Sequence, residues 1–149
     1  MSYLNENELV QCILSFKSND NALRKKAEEV YHQQCHLNSR GVIETLSLCL
    51  CTSPDEGLRT LACVLLRRRF HVSSTSPSAW QSLPIESKNK LKASLIDALS
   101  REIKGHIRRK ISHLIAEVSM CSHSVFIFST FVCINSFSCH DMTLMIVRI

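Results

Sequence analysis

Six stretches of this chain carry apolar residues spaced by threes and fours, and that periodicity limits the fold more than any other feature. Leu9, Ile13 and Phe16 form the first stripe, and Leu23, Ala27, Val30 and Tyr31 the second. Val42, Ile43, Leu46 and Leu50 follow, then Leu58, Leu61, Ala62, Leu65 and Leu66. Leu91, Leu95 and Leu99 make the fifth, and Ile107, Ile111, Leu114, Ile115 and Val118 the sixth. Each stripe would lie on one side of a helix. With three Gly and three Pro in 149 residues, the chain has few of the residues that sheet turns use. An all-α fold is predicted. At Ser53-Pro54-Asp55-Glu56 the pattern predicts a helix start, with Ser53 as N-cap, Pro54 in the first turn and Glu56 as the capping-box partner.

The six helices fall into three pairs, and the second members look alike. SNDNALRKKAEEVY, SPDEGLRTLACVLL and EIKGHIRRKISHLI each set an arginine after an apolar residue: Arg24, Arg59 and Arg108. Three positions later stand Ala27, Ala62 and Ile111, predicted to face the partner helix. The wider gap between the second and third arginines accommodates HVSSTSPSAWQSLP, read as a long loop holding Trp80 away from the lysines at 88, 90 and 92. Helix pairs repeated at this interval predict an α-solenoid, in which stacking buries faces that no single pair can bury.

Charge is unevenly spread. Residues 54–119 hold twelve Lys/Arg against six Asp/Glu, whereas residues 1–53 hold five against six. The excess suggests an acidic partner, and a solvated basic face is the plainer explanation. It peaks where an apolar helix ends in Arg67, Arg68 and Arg69. Cations in a last helical turn complement the macrodipole by about 0.3–1 kcal/mol, and one suffices for that. Three successive residues fan out by about 100° each, so they cannot share one environment. Some of the three must face away from the core.

Other chemistry is thinly represented. His32 and His36 stand one helical turn apart, a spacing that suits zinc, but no third ligand is evident. Cys49 with Cys51, and Cys133 with Cys139 and His140, are looser still. The eight cysteines include no C-x-x-C pair, and Asn5, Glu6 and Glu8 occupy the place of a basic then apolar leader, so free thiols in a reducing compartment are expected. Gly41, Gly57 and Gly105 form no phosphate loop. No catalytic residues, metal ligands or cofactor are proposed, and the chain is read as a non-enzyme.

The residues also carry a family resemblance. Asp20 with Arg24, and Asp55 with Arg59, resemble the Asp/Arg ladder of HEAT repeats. LRTLACVLLRRRF at 58–70, then Trp80 and Leu83, then KNKLKASLIDALSRE at 88–102, resemble the amino-terminal HEAT repeats of importin-β (karyopherin-β) nuclear transport receptors. VLLRRRF, SLP and IRRKISHLIAEVS are most like the importin beta-3 branch. The resemblance covers residues from about 8 to 119. It implies about three HEAT-like hairpins in residues 1–119, with Asp20, Arg24, Asp55, Arg59 and Arg108 as ladder residues. It further implies a non-catalytic import adaptor of cytoplasm and nucleus, with GTP-bound Ran GTPase, import cargo and nucleoporins as partners. Arg67 and Arg68 match the basic-polar pair that the family puts at the end of this helix. With Arg109 and Lys110 on the third pair, they are the expected Ran contacts.

Two departures stand out. Lys104 occupies the place of the third ladder Asp, so a break is expected there. Residues 120–149 diverge, and residues 118–140 contain no Asp, Glu, Lys or Arg. The apolar run from Val125 to Ile134 is short of the roughly twenty residues that span a bilayer, so no membrane partner is expected. The chain is read as a truncated amino-terminal receptor fragment with a poorly packed, unrelated tail, from alternative splicing or a misassembled gene model. A basic helical-repeat module for nucleic acid or an acidic protein is the alternative. Nucleic acid is not the expected partner, because the basic residues lack interleaved aromatics for base stacking.

Overall fold

A computed structural model describes residues 3–71 and 79–122. Of the expected tail at 120–149, residues 120–122 are described, as the end of the last helix; the rest, with the Val125–Ile134 run and the Cys133, Cys139 and His140 group, lies outside the described residues. Seven α-helices and one 3-10 turn make up the structure, with no strand among the described residues. They are α1 (Glu6–Leu14), α2 (Asn21–Leu37), α3 (Ser39–Thr52), α4 (Glu56–Phe70), α5 (Ala79–Ser82), α6 (Ile85–Arg101) and α7 (Gly105–Ser122). The 3-10 turn, Ser15–Lys17, finishes the first helix.

The helices pair as α1 with α2, α3 with α4, and α6 with α7. Among first helices α3 packs on α1 and α6 on α3, while α4 and α7 pack along each other. The protein is therefore an all-α stack of three helical hairpins. Between them runs one continuous core, from Leu9 and Ile13 through Leu46, Leu50 and Leu66 to Ile107, Ile111 and Leu114. Ala27, Ala62 and Ile111 are all buried, as their matched positions require.

Three sequence expectations need correction. Leu23 belongs to the second stripe yet is exposed in the first turn of α2, whose main packing partners are α1, the 3-10 turn and α3. The stretch read as a loop after His71 includes α5, whose Trp80 is buried edge-on against Phe70 with ring centroids 5.6 Å apart. Lys88 and Lys92 set their Nζ atoms 5.8 and 5.6 Å from the Trp80 ring, so the tryptophan is not remote from the lysines. Third, Asp55 rather than Ser53 caps α4. Its carboxylate accepts the Gly57 N–H at 2.7 Å, while the Ser53 Oγ accepts the Asp55 N–H at 3.1 Å.

Candidate partner-binding site

The hairpin turns repeat one hydrogen-bond pattern. In the first, Ser18 Oγ accepts the Asp20 N–H (3.1 Å), Asp20 caps the Ala22 N–H (2.8 Å), and Arg24 Nη1 returns to the Ser18 carbonyl (3.2 Å). In the second, Ser53, Asp55 and Arg59 do the same, Arg59 Nη1 reaching the Ser53 carbonyl at 3.0 Å. Short polar side chains at such turns satisfy the N–H groups that helix starts leave open. Asp20 and Arg24 work within their own hairpin. The links between hairpins come from other residues as well: Lys17 to Asp55 at 2.8 Å, Arg59 to Glu102 at 2.8 and 3.3 Å, and Lys104 to Glu56 at 2.9 Å.

The third turn continues the series with its charges exchanged. Glu102 takes the serine's place and accepts the Lys104 N–H at 3.0 Å, while Lys104, in the aspartate's place, reaches back to Glu56. The ladder does not break at Lys104. Arg108 is exposed and makes no ion pair among the described residues. Sequence reasoning passes over Lys17 and Glu102 and gives Glu56 only as a capping-box partner. Their signal is in the sequence nonetheless: the turns SND, SPD and EIK begin at 18, 53 and 102, at the same offsets as the arginines.

The Arg59–Glu102 pair is the most enclosed of these links, with side chains 16% and 7% exposed. Burial works against the ionised Glu102, but the Arg59 hydrogen bonds and the Lys104 and Ile103 N–H groups prevail and hold its carboxyl below the ordinary 4.5. Lys17 and the Gly57 N–H likewise lower Asp55. A carboxyl depressed in the folded state stabilises above its unfolded pKa, and that contribution disappears as pH falls through the folded value. Stability is therefore expected to decline as pH drops below about 4.5. Thermal melts between neutral and acid pH check this, with Glu102→Gln lowering the neutral-pH plateau and flattening the acid slope.

The three arginines at the end of α4 separate as their fan requires. Arg67 and Arg68 are exposed and enter no ion pair among the described residues. Arg69 is half-buried and donates from Nη2 to Ser39 Oγ at the start of α3 (2.9 Å). Its charge and that of Arg68 lie close to the Tyr31 hydroxyl, which burial raises above its ordinary range. Phe70 is fully enclosed, and its carbonyl accepts from Cys121 Sγ at 3.3 Å.

On α7, Arg109 is exposed and Lys110 half-buried. Lys110 stands near Cys63, whose thiol burial pushes up to about 12. Helices α4 and α7 run the same way, tied by Lys104–Glu56 at their starts and by His71 Nδ1 to Glu117 at 3.0 Å at their ends. The level of Cys63 is about one turn, 5.4 Å, before Arg67 along that axis. The structure thus puts the two basic pairs on adjacent parallel helices, offset rather than side by side.

Other candidates are less organised. Cys35, Cys49 and Cys63 are buried, Cys12, Cys51 and Cys121 partly so, and all six are free thiols. Among the described residues no group of three or more His, Cys, Asp and Glu side chains stands together to hold a metal ion, and no helix is long and apolar enough to cross a membrane. Trp80 is too enclosed to stack on a base. Comparison with known protein families, with curated proteins and with solved structures gives no match.

Proposed function

We propose that this chain is the amino-terminal helical-hairpin region of an importin-β-type import adaptor and that it engages GTP-bound Ran without catalysis. Arg67 and Arg68 make the principal contacts, and Arg109 and Lys110 add to them from about one turn earlier on the parallel second helix of the next hairpin. The reading is carried by one observation: two consecutive arginines at the end of an otherwise core helix stand exposed and make no ion pair among the described residues, while the third is retained by Ser39. Macrodipole compensation alone would not call for them. An acidic surface on the partner would complement the surplus of basic residues in 54–119. Import cargo, nucleoporins and residence in cytoplasm and nucleus follow from the resemblance. Affinity for Ran should be weak, because three hairpins offer a small interface.

The test is charge reversal. Arg67→Glu with Arg68→Glu in the full chain is expected to weaken binding to Ran-GTP by tenfold or more, as like charge meets an acidic surface (about 1.4 kcal/mol per tenfold). Far-ultraviolet circular dichroism should be unchanged, since both side chains project into solvent. Unaltered affinity would remove both residues from the interface.

A further inference from the structure

We infer that the seam between α4 and α7 is a cationic groove that receives an acidic peptide segment of a partner protein. Four contacts locate the seam: Lys104 to Glu56 at the helix starts, Lys110 beside Cys63, Cys121 to the Phe70 carbonyl, and His71 to Glu117 at the ends. Intervals of three and four residues assign the rest of each border. On α4 the row Glu56, Thr60, Cys63, Arg67 and His71 runs along α7. On α7 the row His106, Lys110, His113 and Glu117 runs along α4. Arg67 lies about 6 Å beyond the level of Cys63, and His113 about 4.5 Å beyond that of Lys110, so the two stand across the seam from each other. Arg68, about 100° further round α4, lies toward Tyr31 instead.

Basic groups set opposite one another are complemented by an anion. Arg67, His106 and His113 are exposed and Lys110 half-buried, and none of the four enters an ion pair among the described residues. Neither residues 57–70 of α4 nor residues 105–116 of α7 include an Asp or Glu. Glu102, a carboxylate near Cys63, is held by Arg59. The two carboxylates that bound the seam are matched already, Glu56 by Lys104 and Glu117 by His71. The uncompensated charge is therefore confined to a short interval. From His106 to His113 the helix rises about 10 Å, which an extended peptide covers in about three residues with alternate side chains on one side. Two carboxylates in such a segment would meet Lys110 first, then Arg67 with His113. A nucleic-acid strand fits less well, because its charge continues at every nucleotide past Glu56 and Glu117. Phe70, the one Phe, Tyr or Trp on these two helices, is fully enclosed and offers no platform for a base.

Fluorescence anisotropy of the full chain with a dye-labelled dodecapeptide of alternating glutamate and alanine, at low salt, tests this. Saturable binding is expected, absent for the glutamine–alanine counterpart. Arg67→Gln with Lys110→Gln should weaken it about tenfold or more. Lys25→Gln with Lys26→Gln removes the same charge from the exposed side of α2 and should change it less than about twofold. His113→Arg should tighten binding, a gain that a folding defect cannot produce. No binding of the acidic peptide, equal losses in the two double variants, or tighter binding of a twelve-nucleotide oligothymidylate would overturn the inference. The segment is defined by its chemistry, whichever protein carries it. Peptide binding without binding to Ran would therefore remove the transport reading alone.

Discussion

Phe70→Ala is expected to destabilise the protein by about 3–5 kcal/mol, the usual cost of emptying a large buried aromatic site. Phe70 closes α4, is fully buried, and meets the Trp80 ring at an interplanar angle of 85°. Edge-to-face pairs contribute about 0.5–1.5 kcal/mol beyond burial, so part of the loss is specific to the ring. The site joins three elements: the ring supports α5, the backbone carbonyl receives Cys121 from α7, and Phe70 follows the arginine run. Its removal should loosen the hold of α5 and α7 on the second hairpin together. Thermal unfolding followed by circular dichroism should show the midpoint lowered by roughly 10–20 °C. Phe70→Leu should recover much of that, since it restores volume without the aromatic edge.

Arg59→Ala should cost about 2–4 kcal/mol for a different reason. The guanidinium donates to Glu102 and to the Ser53 and Pro54 carbonyls, joining the second hairpin's turn to the third. Without it the Glu102 carboxylate stays enclosed beside the Lys104 and Ile103 N–H groups with no cation to balance it, and an uncompensated buried charge is the expensive outcome. Arg59→Lys should recover little, because a lysine ammonium cannot supply the forked geometry. A cycle with Glu102→Gln measured by urea unfolding separates the pair from the two carbonyl contacts. A coupling energy near zero would show that the inter-hairpin link adds nothing to stability.

Much of the fold was legible from spacing alone. Burial of one face is a local consequence of helical period, so Val42, Ile43, Leu46 and Leu50, or Ile107 through Val118, could be assigned inward without tertiary information. What escaped were contacts across long stretches of chain. Ser- and Pro-containing neighbours suggest an extended loop that keeps Trp80 from the lysines, whereas its T-shaped contact with Phe70 holds it by α7 and under Lys88 and Lys92 of α6. The N-cap of α4 was assigned two residues early: Ser53 and Asp55 are both competent caps, and their mutual hydrogen bond leaves Asp55 to cap the helix. Lys104 looked like a fault in the ladder because its partner Glu56 is 48 positions earlier and only their shared offsets relate them. For the basic site, the sequence required the arginines to separate, but which one Ser39 would retain depended on the packing of α3 against α4.

The functional proposal stands or falls on discrimination by nucleotide state. Titrating the full chain with Ran in its GTP and GDP forms, by calorimetry at low and physiological salt, is the most direct measurement. Binding to the GTP form alone, weakened by salt, is the expected result. Equal binding to both forms, or to neither, would contradict it and leave the exposed arginines as no more than the solvated end of a core helix.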